Sequence, residues 1–218
     1  MRVKLIGCAS SRNEVEWLGN LGETDHEFLD YSYHANPVKL HNKLQELINE
    51  SQDYDLIVLT YSRCSNSLIG LLSPKVPMLF PQTHDCIGFL LGSNERHLRF
   101  VKEKKGTYYF SQGWIDYGRT PYSEYLEYEQ KYGTKKARQL IENLYGRYSK
   151  AIFIKTPGME NIEYYRGKVK EIADFFGWQL EEVEGDVGLL TSLTQGKIGP
   201  DMVYIEPGRR ITESHYNP

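Results

Sequence analysis

Residues 55–61 read Asp-Leu-Ile-Val-Leu-Thr-Tyr, a β-rich run whose middle shows no alternation of polar with apolar side chains. A strand with one wet face alternates. A strand that does not alternate has to be covered on both faces, which is the situation of an interior strand in a parallel sheet layered with helices. The run therefore restricts the chain to the α/β class, and its surroundings agree. Residues 3–7 form a short apolar run, followed by Ser11-Arg12-Asn13-Glu14, the capping-box pattern that opens a helix. Residues 27–33 read as a second strand. Asn36-Pro37 then supplies an N-cap and a proline at the first helical position, with Leu40, Leu44, Leu47 and Ile48 on one face of the helix that follows. Residues 76–80 and 106–110 read as further strands, and 65–72, 86–91 and 94–104 as helices.

Beyond residue 120 the composition shifts to Tyr, Glu and Lys, and residues 122–148 read as one or two helices broken at Gly133. Strands at 151–155, 179–183 and 201–205 then alternate with helices at 160–176 and 187–193. The expected fold is α/β, with Rossmann-like three-layer parallel sheets in two halves: 1–120, a helical crossover at 121–150, a second half at 151–206, and a polar tail at 207–218. The tyrosines between 122 and 165 sit at helical spacing, which predicts packing rather than base stacking.

Twenty-six basic residues against 29 acidic ones give a net charge of −3, no general reason to bind nucleic acid or an anionic membrane. No run approaches the ~18 apolar residues of a membrane helix. An odd count of 3 cysteines, with no hydrophobic signal segment ahead of them, predicts a reducing, cytoplasmic setting. Gly-x-Gly-x-x-Gly, the P-loop, Gly-x-Ser-x-Gly and His-Glu-x-x-His are all missing from the sequence, which demotes nucleotide-dependent and serine-hydrolase readings.

Open parallel sheets bind ligands outside the carboxyl ends of their strands. Every cysteine of the chain falls at such an end: Cys8 closes the first strand, Cys64 follows the third, and Cys86 follows the fourth. Each precedes or opens a helix, where partial positive charge favours thiolate over thiol. His84 stands two positions before Cys86, and an extended His-x-Cys presents both side chains to one side. Cys8, Cys64, His84 and Cys86 are therefore the predicted metal ligands, as a tetrahedral zinc site or, through the cysteines, an iron–sulfur cluster with one open iron. No Cys-x-x-Cys spacing supports the set, and a metal-free reactive thiol or simple packing are the alternatives.

Around them, His34 faces the same edge, while Arg12 and Arg63 adjoin Cys8 and Cys64 as candidate anchors for an anionic substrate. Asp85 reads first as a helix N-cap and second as an orienting partner for His84. The aromatic segment 106–114, ending in Trp114, suits either a core strand and turn or the wall of a site for a flat cofactor or organic substrate. Arg209 and Arg210 fit an anion clamp or a solvated tail equally well, and His26, His41 and His97 read as ordinary surface positions.

Cys8, the segment Tyr61-Ser62-Arg63-Cys64-Ser65-Asn66, the segment His84-Asp85-Cys86-Ile87-Gly88-Phe89-Leu90-Leu91-Gly92-Ser93 and residues 106–114 together resemble the domain-of-unknown-function family sixteen thirty-eight. The resemblance covers most of the chain and is most specific at His-Asp-Cys followed by Leu-Leu-Gly-Ser. Where members commonly carry glycine after the Cys-x-Asn stretch, this chain has Ser67. What the resemblance implies is anaerobic one-carbon metabolism in the neighbourhood of corrinoid-dependent methyltransferases. The expectation is thus a metalloprotein serving corrinoid or methyl-transfer chemistry. The alternatives are a non-enzymatic accessory protein that binds a corrinoid protein or cofactor on the aromatic segment, and a metal-free enzyme with Cys64 or Cys86 as nucleophile and His84 as base.

Overall fold

The run at 55–61 forms the interior strand its composition requires. In the computed structural model, which describes residues 1–19, 24–63 and 66–216, β3 (Leu56–Thr60) is buried along its whole length. It pairs in parallel with β1 (Val3–Cys8) and β4 (Met78–Pro81), and β2 (Thr24–Leu29) lies parallel to β1 on the outside. The predicted second strand ends early because the Asp30 carboxylate accepts a hydrogen bond from Ser32 N (2.9 Å) and turns residues 31–33 into a short 3-10 segment.

Helix α1 (Arg12–Leu18) lies on one face of this sheet and α2 (Pro37–Glu50) on the other. Asn36 caps α2 as expected, accepting from Lys39 N at 3.0 Å. Leu40, Leu44, Leu47 and Ile48 of α2 pack on Ile57, Leu59, Met78 and Phe80. Cysteine at position 86 begins α3 (Cys86–Leu90), followed by α4 (Asn94–Glu103).

A second sheet, parallel throughout, has the order β5-β6-β7, from β5 (Thr107–Phe110), β6 (Lys150–Lys155) and β7 (Gln179–Glu184). Between β5 and β6 run α5 (Gln112–Tyr117), α6 (Pro121–Tyr132) and α7 (Thr134–Tyr145), the last two separated at Gly133, whose φ of 78° a residue with a side chain rarely adopts. Helix α8 (Ile162–Phe176) covers one face of β6 through Val169, Ile172 and Ala173. The other face, Ile152 and Ile154, rests on Phe89 and Leu90 of α3 and on Leu189 of α9 (Gly188–Thr194). The molecule is α/β with helix-flanked, Rossmann-like sheets, and none of its described helices is long and apolar enough to cross a membrane.

The sheets do not follow the expected halves. β5 joins the second sheet, and β8 (Met202–Ile205) returns to the first as an antiparallel edge strand beside β4, giving the order β2-β1-β3-β4-β8. Local pattern identifies a strand but not its neighbour, and antiparallel edges on parallel sheets are common. Residues 207–216 are not a detached tail either, although most of them remain exposed. Gly70 N donates to Ile211 O (2.8 Å), Arg210 Nη1 donates to Gly70 O (2.8 Å), and Ile211 and Tyr216 are buried beneath β4. In the segment expected as a helix at 65–72, the described residues form turns, with Asn66 at φ 60°.

The two sheets meet at their carboxyl ends. Each loop that leaves a strand of the second sheet abuts a segment that leaves a strand of the first. After β5, a Cβ on Gly113 would lie 2.0 Å from Ser10 O; after β6, one on Gly158 would lie 2.1 Å from the Trp17 ring. After β7, Asp186 N donates to Leu90 O at 2.9 Å.

Candidate functional site

On one side of the Ser10–Gly113 contact lies a cavity of about 340 Å³. Ser10, His34, Asp85 and Cys86, from the loops after β1, β2 and β4, form one wall. Tyr108, Tyr109 and Trp114, from β5 and α5, form the other. The aromatic wall is braced from behind. Trp114 Nε1 donates to Tyr108 Oη (3.2 Å), Tyr108 stacks on Trp178 with centroids 5.8 Å apart, and Tyr31 meets Trp114 edge-on at 5.0 Å while stacking on His34 at 5.5 Å. Such packing fixes rotamers, so the cavity is pre-shaped. Segment 106–114 thus supplies an edge strand, fully buried at Phe110, and one wall of the cavity.

Burial decides the proton states here. It holds His34 below the ordinary histidine value and so neutral at pH 7. It pushes Tyr109 up to about 12, and the Tyr109 hydroxyl is buried with no hydrogen-bond partner among the described residues. Asp85 caps α3, accepting from Ile87 N at 2.9 Å. Its other oxygen lies 3.5 Å from His84 Nδ1, so the carboxylate serves the cap and also faces His84, as both readings of Asp85 expected.

His97 corrects the sequence reading. It is 2% exposed rather than a surface residue, because α4 turns Leu98 and Val101 outward and His97 inward against Tyr109, with ring centroids 6.1 Å apart. Asp85 Oδ1 lies 3.5 Å from His97 Nδ1, near enough for attraction but without hydrogen-bond alignment. Burial outweighs that attraction and holds His97 below its ordinary value.

Of the predicted metal ligands, Cys86 lines the cavity. Cys8 closes β1 and is 8% exposed; burial pushes its thiol up, against a smaller lowering by the Ser10 hydroxyl that donates to its Sγ at 3.2 Å. The His84 side chain is largely in solvent, and Cys64 lies outside the described residues. Among the described residues no three His, Cys, Asp or Glu side chains come together as a group that could hold a metal ion. Cys8, His84 and Cys86 are not gathered into such a group, and the described residues do not include the fourth expected ligand, Cys64. Of the predicted substrate contacts, His34 and Trp114 line the cavity. Arg12 turns away to pair with Glu16 (2.7 Å), and Arg63 Nε donates to Asn66 Oδ1 (3.0 Å).

The expected capping box does not form. Ser11 Oγ instead donates to Cys8 O at 2.9 Å, and Glu14 is buried, accepting from Thr156 Oγ1 at 2.8 Å across the junction of the sheets. Sequence reasoning missed Glu14 as a site residue because its spacing from Ser11 already had a local explanation.

The sequence profile of DUF1638, described as a protein of unknown function, matches residues 28–194. The chain belongs to this family. No curated protein and no solved structure gives a significant match. The span shared with DUF1638 takes in His34, Cys64, His84, Cys86 and Trp114, and leaves β1 with Cys8 and the whole of α1 outside it.

Proposed function

We propose that this DUF1638 protein binds a small organic ligand in the cavity between the facing carboxyl ends, and that the cysteines of the first sheet supply sulfur chemistry to it. The form of that chemistry favoured by the sequence is zinc or an iron–sulfur cluster held by Cys8, Cys64 and Cys86, with His84, in anaerobic one-carbon metabolism linked to corrinoid or methyl transfer. The observation that carries the reading is Cys86 in the wall of a pre-shaped cavity, opposite Tyr109 and Trp114. Two further facts support it. The strand order β1-β3-β4 brings the ends that lead to all three cysteines side by side, and Arg63 N donates to Thr83 O (3.1 Å), tying the loop after β3 to the one after β4. A bound metal would keep thiolates deprotonated at neutral pH.

A second, metal-free reading draws on Asp85, which lies 3.5 Å from both His84 and His97 and could orient a histidine base beside a Cys86 nucleophile. The deciding experiment is metal and acid-labile sulfide content, with an absorption spectrum, on the full chain purified without oxygen, beside Cys64→Ala and Cys86→Ala. The expected result is about one zinc or a few irons per chain, lost in both variants. Colourless, metal-free protein that takes up neither zinc nor a reconstituted cluster would sink the metal reading. Iodoacetamide labelling selective for Cys86 and dependent on His84 would then favour the thiol reading. Ligand binding that survives Cys86→Ala but not Trp114→Ala would favour the accessory one.

A further inference from the structure

On the other side of the Ser10–Gly113 contact lies a second cavity of about 310 Å³, between α1 and the loop after β6. It shares no lining residue with the first. Its most unusual member is Glu14, 2% exposed, with Oε1 accepting from Thr156 Oγ1 and Oε2 buried without a hydrogen-bond partner among the described residues. A buried carboxyl oxygen left unpaired is costly, and no fold needs one there for its own sake. The surroundings are acidic. Glu16 and Glu160 also line the cavity, Asp116 acts on Glu14 from α5, and among the described residues no Lys, Arg or His lines it. Arg12 pairs with Glu16 and lies over the Phe28 and Tyr117 rings, and is not among the residues that line the cavity. The indole of Trp17, half exposed, lies over Gly158, whose missing side chain lets the backbone approach the ring.

We propose that this cavity is a binding site for an organic cation bearing N–H donors, a primary ammonium or a guanidinium, received by the unpartnered oxygen of Glu14 with Trp17 as its aromatic wall. An anionic ligand would meet no cationic side chain among the described lining residues, whereas a cation gains a charge-assisted hydrogen bond and a ring face. Burial holds Glu14 above the usual carboxylate range, so the empty site keeps its proton to a higher pH than a free carboxyl does. Entry of the cation stabilises the carboxylate and expels that proton to solvent. The reaction is an exchange of one proton for one cation, with no change in oxidation state.

The test is titration of the full chain with n-propylammonium and ethylguanidinium, followed by the Trp17 indole N–H resonance, assigned with Trp17→Phe, and by calorimetry in buffers of different ionisation enthalpy. The expected result is a saturable shift with proton release, weakened about tenfold or more by Glu14→Gln. Glu16→Gln and Glu160→Gln, exposed charges, should change it by no more than about twofold. Tetramethylammonium, which has no N–H, should bind far more weakly. If Glu14→Gln fails to fold, proton release by the wild-type chain decides alone. No saturable response, a response without proton release, one undiminished in Glu14→Gln, or a response to propionate in place of the cations overturns the proposal.

Discussion

Two buried titratable side chains give this protein opposite pH dependences. His97 is held below the ordinary histidine value of about 6.5 by burial, with Asp85, His84 and Tyr109 as its polar neighbours. The unfolded chain therefore takes up a proton there first, so the stability is fully present above about 6.5 and is lost as pH falls through the depressed folded value. His34 acts in the same direction. Glu14 acts in the other: its folded value is raised, so its share of stability is present at low pH and lost as pH rises through that value. Acidification from about pH 7 to about 5.5 should accordingly lower the urea midpoint of the wild-type chain relative to that of His97→Phe, Glu14 contributing alike in both. Parallel profiles for the two proteins would show that His97 is not the residue responsible. Neither role was legible in sequence. His97 was read as a surface residue and Glu14 as a capping acid, because a local pattern reports a residue's helix position and not which face the tertiary structure covers.

Among the elements, starts and stops were the most legible feature, since caps act within a few residues. Asn36, Asp85 and the helix break at Gly133 behave as their local chemistry dictates. The capping box at α1 failed for a reason no local rule contains. Thr156, far along the chain, binds the glutamate that would have closed it, and Cys8 O accepts from the serine. The approach of α5 to the loop after β1 is equally non-local, and residues at the contact line both cavities, Gln112 and Asn13 one, Ser10 and Trp114 the other. It depends on the missing side chain of Gly113, where a Cβ would lie 2.0 Å from the backbone oxygen of Ser10. Gly113→Ala should therefore destabilise the chain by about 1–3 kcal/mol, the usual cost of overpacking against backbone that cannot yield. Urea denaturation measures it, and an unchanged midpoint would mean that α5 has room to shift.

At the scale of the whole molecule, the fold class followed from one buried strand and the alternation around it, yet the partition of strands between sheets did not. β8 and residues 207–216 return to the first sheet, where Ile211 and Tyr216 complete the packing beneath β4. Ending the chain after residue 207 should cost at least about 2 kcal/mol from the lost apolar burial and lower the thermal midpoint. A melt unchanged by the truncation would restore the reading of a solvated tail. The α/β class, most of the strands and helices, the positions of Cys8 and Cys86 at or just after strand ends and the aromatic character of segment 106–114 are readable from the residues alone, because periodicity, caps and turn residues act over short stretches of chain. Packing alone makes the two sheets face each other at their carboxyl ends, sets Cys86 in a cavity wall with His84 in solvent, and buries Glu14 opposite Thr156. Those outcomes depend on which distant surfaces meet, and burial sets a carboxyl or an imidazole's proton state only once they have met.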